Sequence, residues 1–352
     1  MGWQTTGDVA EFLTAAGSFL RAERARNTVF LTVAETMRQS PQRYVAAGPA
    51  DPAGLPLFGW WTPDAPAAVA QAPAAVAPAS AAVAQAPGAL VPAAPATAAP
   101  ATAAPATAAP ASGDPAPADV RGAFLHTPPF PLLLTAVPAG AAASLASTAL
   151  AGRPLAGVNA HQEAAHAFAA AWQRATRGSG RVDVHRRMRL YRLAELTWPD
   201  PLPAGEPRLA DEDDAALVTD WFTAFAREVH DMDGGGDQAD AVRERLSHQG
   251  VTLWQTAPAE PVSLAALTRH VAGMVRVGPV YTPPELRGHG YASAVTAAVS
   301  ERARANGADE VLLYTDLANP VSNSIYQRIG YRPVEDRVVL SFTETAASQE
   351  RR

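Results

Sequence analysis

Apolar residues recur at helical spacing through DVAEFLTAAGSFLRAERARNTVFLTVAETMRQSP, with Phe12, Phe19 and Leu20 as anchors and an end near Pro41. LPLFGWWTP then predicts a strand, and VRGAFLHTPPFPLLLTAVP predicts two strand-like runs broken at Pro128 and Pro129. AGAAASLASTALAG and AHQEAAHAFAAAWQRATRG carry helical patterns, with a strand or loop between them. RVDVHRRMRLYRLAEL alternates as an edge strand would. Past a proline-rich joint, TWPDPLPAGEP, a short strand at 207–210 leads to a helix over about 213–230, where Leu217, Trp221, Phe225 and Val229 repeat every four residues. A helix over 239–248 follows, then strands in VTLWQTA, SLAALTRH and AGMVRVGPVYTP. A helix over about 291–306 stops at Gly307, and GADEVLLYTD has the run of a buried strand.

One stretch breaks the pattern. Residues 62–118 are almost wholly Ala, Pro, Val, Gln and Thr, with PATAA beginning at Pro95, Pro100 and Pro105. Proline at that density prevents helix and strand pairing, and alanine buries too little area to offset chain ordering. The expectation is a disordered, polyproline-biased spacer inserted in the first α/β unit.

Composition narrows the function classes. The chain has 352 residues, a net charge of −6 and no cysteine, which removes disulfides, thiolate zinc sites and cysteine nucleophiles. The acidic balance argues against a general nucleic-acid binder. All 28 basic residues are arginine, a usage that carries no collective role. The arginine run HRRMRLYR is read as local charge pairing. The early acids Asp8 and Glu11 argue against a signal peptide, and only the proline-broken Ala/Pro tract is long enough for a membrane span. A soluble, cytoplasmic protein without a membrane partner is the expectation.

The acids 211–214 precede a helix and are read as capping rather than as a metal site. DMDGGGDQAD imitates a calcium loop, but its twelfth position is Val242 where a bidentate glutamate is required. His161 and His166, five apart, do not share a helical face as a metal pair would, and no metal is expected.

Candidate chemistry concentrates at VYTPPELRGHGYASA. A strand ends at Pro283, and a helix starts after Arg287, Gly288 and Gly290. The turn 287–292 offers free backbone N–H groups at the positive end of a helix, two glycines that admit an anion, and a permanent charge. It lacks the Lys-Ser/Thr ending of a Walker A loop, and Ser293 stands where a Rossmann fingerprint needs its third glycine.

The motif R-x-x-G-x-A (Arg287, Gly290, Ala292), followed one helix and one strand later by N-P-x-S-N-x-I-Y-x-x-I-G-Y-x-P over 319–333, resembles the two cofactor motifs of the GNAT superfamily of N-acetyltransferases. The resemblance is specific over about 271–342. It implies an α/β (α+β, GNAT-like) fold with two mixed-sheet acyl-CoA N-acyltransferase domains in tandem. The first, degenerate domain would span 1–61 and 119–196, and the second, binding acetyl-CoA, 207–345. Further implications are a pyrophosphate on the N–H groups of Arg287, Gly288, His289, Gly290, Tyr291 and Ala292, and a pantetheine arm along Val280, Tyr281 and Thr282. Asn319 and Asn323 would meet polar groups of the cofactor. Val280 would donate its N–H to the thioester oxygen, and Tyr326 would be the general acid.

The chemistry agrees with those assignments. An amine attacks a thioester, and a phenol with a pKa of about 10 can protonate the departing thiolate while remaining protonated at neutral pH. Ile325 and Ile329 are expected to fill the core face of their helix and to turn Tyr326 away from it. The base is open among Glu228, Asp231, Asp233, Glu285, His289 and a water chain. In the first half, the corner PAGAAAS lacks the arginine and second glycine, so that copy is expected to be non-catalytic, shaping the cleft or mediating a homodimer. Two functions follow: an acetyl-CoA-dependent N-acetyltransferase acting on an amine of a small molecule, peptide or protein, or a non-catalytic acyl-CoA-binding module.

Overall fold

A computed structural model describes residues 2–39, 54–63, 119–176, 180–229, 238–256 and 260–344. All but the first two residues of the Ala/Pro insertion lie outside them, as do Pro41, Asp231 and Asp233.

The described chain runs through the same series of elements twice. The first pass is β1 (Gly2–Thr6), α1 (Val9–Ala22), α2 (Thr28–Gln39), β2 (Leu57–Thr62), β3 (Gly122–His126), β4 (Leu132–Leu134), α3 (Ala139–Ser147), β5 (Gly157–Ala160), α4 (Gln162–Ala175) and β6 (Gly180–Leu193). The second is β7 (Glu206–Leu209), α5 (Ala215–Glu228), α6 (Gln238–Leu246), β8 (Val251–Thr256), β9 (Glu260–Leu267), β10 (Met274–Tyr281), α7 (Tyr291–Ala305), β11 (Glu310–Asp316), α8 (Pro320–Arg328) and β12 (Tyr331–Glu344). The fold is therefore mixed α/β with two copies in tandem.

Both copies share one twelve-stranded sheet, ordered β1-β2-β3-β4-β5-β12-β6-β11-β10-β9-β8-β7. Each copy has one parallel pair, β4 with β5 and β10 with β11. The two last strands are exchanged: β12 pairs with β5, β6 pairs with β11, and β6 and β12 pair antiparallel at the centre.

The arginine-rich strand β6 is thus central rather than an edge. Its charges are met by neighbouring strands, Arg189 by Asp336 at 2.6 Å and Arg192 by Glu310 at 3.8 Å. The expected charge pairing holds, and it is what lets this run lie inside a sheet.

The first helical run forms two helices, broken at Glu23–Asn27, where the Asn27 side-chain amide donates to the Leu20 carbonyl and ends the first. Strand β1 was not expected from the sequence; it is fixed by pairing with β2 and by Trp3 donating to the Ala141 carbonyl.

The sheet carries helices on both faces. Leu145, Phe168 and Trp172 of α3 and α4 pack on one face of the first copy with Leu340 and Phe342 of β12. Val295 and Val299 of α7 occupy the matching position in the second copy with Val275, Val277 and Leu313. On the opposite face, α1 and α2 cover the sheet as far as Met274 and Leu312, so the first copy's helices roof strands of the second.

Candidate active site

Strand β10 shapes the site. It pairs with β11 only over Met274–Val277, and its register with β9 shifts between Val277 and Val280. From Val280 onward the strand stays with β9, leaving its β11 side unpaired. Side chains alternate across the opening: Val280 packs on the core under α7, and Tyr281 enters the core under α5, 6.0 Å from the Trp221 ring. The Ser263 hydroxyl donates to the Tyr281 carbonyl at 3.0 Å and lies 2.8 Å from the Thr282 hydroxyl, which holds this turn to β9.

A short 3-10 turn, Pro284–Leu286, then delivers the chain to the exposed loop before α7. Gly288 (φ 83) and Gly290 (φ 85) are both left-handed, a conformation that costs other residues roughly 1–2 kcal/mol. No acceptor among the described residues meets the N–H groups of Gly288, His289, Gly290, Tyr291 or Ala292, and Gly290 caps α7 without a side-chain bond. Unpaired amides and the helix dipole together give this turn, the cradle, the means to hold an anion.

Arg287 does not lean into the cradle. Its Nε donates to the Thr282 carbonyl at 2.9 Å, and its Nη2 bonds both oxygens of Glu228 at 2.7 and 2.8 Å. It therefore ties the loop to β10 and α5, and Glu228, one candidate base, is already engaged. His289 folds back with Nδ1 3.2 Å from the Leu286 carbonyl, its ring 5.6 Å from that of Tyr291. Glu285 is exposed on the short turn.

The asparagines are held by their own helix. Asn319 caps α8, accepting from the Ser322 N–H at 3.0 Å. Asn323 donates to the carbonyls of Asp316 and Asn319 and accepts from the Tyr191 hydroxyl at 2.9 Å.

Tyr326 lies against the second core with Ile329, its ring 6.1 Å from Tyr331 in an edge-to-face contact. Ile325 and Tyr326 are both half-buried, but of the two only the tyrosine packs on that core. The face expected to belong to Ile325 is thus taken by the tyrosine, and burial pushes its phenol up to about 12.

The acids before α5 also differ from expectation. Asp214 bonds Arg208 at 2.6 and 2.7 Å rather than a helix N–H, while Asp211 accepts from the Asp213 N–H.

Residues 259–340, which contain the whole of this opening and its cradle, match the family model FR47-like protein, a GNAT-related family. That stretch of the second copy is thus similar to the FR47-like family. Over its full length the chain is similar in fold to a Drosophila protein, 13% identical, with 97% of this chain and 98% of that one covered and a TM-score of 0.57. It is also similar to a GNAT-family acetyltransferase from Colwellia psychrerythraea (12% identical, 64% and 81% covered, TM-score 0.43). A GCN5-related N-acetyltransferase from Kribbella flavida is 19% identical, with 62% and 86% covered and a TM-score of 0.41. No curated protein matches the chain in sequence.

The first copy lacks the features that make the opening. Its corner runs straight from β4 into α3, whose N-cap is Pro138 without a cap bond. Arg337 of β12 crosses there: its guanidinium donates to the carbonyls of Leu134 and Asn159 at 2.8 Å each and to the Asn159 side chain at 2.9 Å. It ties the ends of β4 and β5 together where β10 and β11 part. The matching place in the second copy has Arg186 of β6, which donates to the Val229 carbonyl and lies 4.0 Å from Asp316. Neither arginine was singled out from the sequence, because their placement depends on the strand exchange. Among the described residues no helix is long and apolar enough to cross a membrane.

Proposed function

We propose that the protein is an N-acetyltransferase that moves the acetyl group of acetyl-CoA to a primary amine. The observation that carries this is the set of unpaired N–H groups over Gly288–Ala292, two of them on obligately left-handed glycines, at the mouth of a parallel strand pair that parts after Val277. That cradle fits a pyrophosphate, and the unpaired side of β10 from Val280 to Thr282 fits an amide-bearing arm. Thr282 is a weaker partner than Val280, because its hydroxyl and carbonyl are already bonded. Arg287 acts by holding the loop through Thr282 and Glu228, and Asn319 and Asn323 act by fixing the start of α8.

In the reaction the amine nitrogen forms a bond to the thioester carbon, and the Val280 N–H stabilises the negative oxygen that results. The carbon–sulfur bond then breaks, Tyr326 gives its proton to the departing thiolate, and solvent restores that proton. The surplus proton of the amine leaves to water. Acetyl-CoA turnover against a panel of amines tests the proposal. Tyr326→Phe is expected to lose about 10²- to 10⁴-fold in transfer while still binding CoA. Unchanged turnover would overturn the acid assignment. Gly290→Glu is expected to abolish CoA binding, and full affinity there would refute the cradle.

A second reading rests on a specific observation. Burial leaves Tyr326 a weak acid, and Glu228 is occupied by Arg287. A non-catalytic acyl-CoA-binding module would have those properties. Tight CoA binding with no transfer to any amine would favour it.

A further inference from the structure

A cavity of about 640 Å³ lies at the seam of the two copies, walled by α1 and α2 of the first and by α6, the 268–272 loop and β10 of the second. Arg276 reaches it from β10, on the sheet face away from α7. Its Nη1 donates to the hydroxyls of Thr28 at 3.2 Å and Thr32 at 2.8 Å, one turn apart on α2. No carboxylate among the described residues pairs with it. Although only half-buried by area, the guanidinium is crowded: burial, and to a lesser extent nearby Arg245, lower its pKa to about 10 against an opposing effect of Tyr314.

The charges around the cavity do not cancel. Arg21, Arg245, Arg269 and Arg276 line it against Glu35 and Glu244. Both acids are engaged, Glu35 by Arg38 at 2.7 Å and Glu244 by Arg245 at 2.9 Å and Arg269 at 2.8 Å. A crowded cation without a counter-ion is costly, and the cost falls when an anion joins it. With Nη1 turned to the threonines, the Nε–Nη2 edge is the remaining fork, a shape that matches the two oxygens of a carboxylate. Leu13, Leu31 and Val271 supply apolar wall, and the volume is that of a small-molecule pocket.

We propose that this seam binds a small organic carboxylate, its carboxyl group on Arg276 and its hydrocarbon body along α1 and α2. The site shares no residue with the cradle, so its ligand binds whether or not acetyl is transferred.

Calorimetric titration of the full chain without acetyl-CoA tests it, using acetate, butyrate, hexanoate, octanoate, benzoate and inorganic phosphate. At least one of the longer carboxylates is expected to bind with a Kd below about 1 mM, and phosphate more weakly. Arg276→Met is expected to weaken binding at least about tenfold. Arg276→Lys should not restore it, since an ammonium cannot present a fork. Gly290→Glu is expected to bind the carboxylate as the wild type does. If Arg276→Met does not fold, Thr32→Val, which removes one anchor of the guanidinium, is expected to weaken binding instead. Absence of carboxylate binding below about 10 mM would overturn the site. So would unchanged affinity in Arg276→Met or Thr32→Val, phosphate binding as tightly, or carboxylate binding lost in Gly290→Glu.

Discussion

Arg287 joins three pieces of chain through one guanidinium: its own loop, the end of β10 at Thr282 and the end of α5 at Glu228. It therefore shapes the cradle more than it contacts what enters. Arg287→Lys keeps the charge but loses the two-pronged grip, and CoA affinity is expected to fall about tenfold in a fluorescence titration. Glu228→Gln should weaken it in the same direction by a smaller factor. Asp214 offers a pH test of a different residue. The hydrogen bond from Arg208, the largest cause, holds its carboxyl below the ordinary range. A depressed folded pKa adds stability above the unfolded value, near 4, that is lost as pH falls through the folded one. Asp214→Asn is thus expected to be less stable than wild type in urea at neutral pH, with the difference vanishing in acid.

At the scale of elements, motif and pattern reached different depths. The glycine turn, the Asn-Ser-Tyr block and the strand–helix alternation were legible because each is local: phase, caps and left-handed turns are written in consecutive residues. The cradle at Gly288–Ala292 and the parting of β10 from β11 belong with these, since proline and glycine crowd the places where they occur. The roles of Asn319, Asn323, Arg287 and Ile325 were not legible, because each depends on which neighbour the fold brings close. Arg337 is the clearest case. On β12 it bonds the ends of β4 and β5 of the other copy while its Nη1 reaches Glu335 at 3.1 Å. Arg337→Met removes the donor that ties two strand carbonyls and leaves Glu335 only Arg26, 3.9 Å away, and is expected to lower unfolding free energy by about 3 kcal/mol in urea titration.

The whole molecule is one sheet made by two interlocked copies, and that could not be inferred from strand patterns, which say that a strand forms but not beside which partner. The alternating arginines of β6 suited an edge as well as a centre until Asp336 and Glu310 were placed beside them. A fragment spanning 207–345 would lack β6 and present the bare edge of β11. It is expected to be unfolded or to self-associate in gel filtration and circular dichroism, whereas a monomeric folded fragment would show that the exchange is dispensable.

The exchange also sets an order of events during synthesis. Strands β5 and β6 leave the ribosome early, yet the strand that fits between them, β12, is translated last of the twelve. The centre of the sheet cannot close until β12 is made, so long-range pairing governs the rate and two strand edges stay open meanwhile. A nascent chain arrested after β11 would expose those edges to any neighbouring polypeptide, making the interval before the final strand the time of greatest dependence on chaperones.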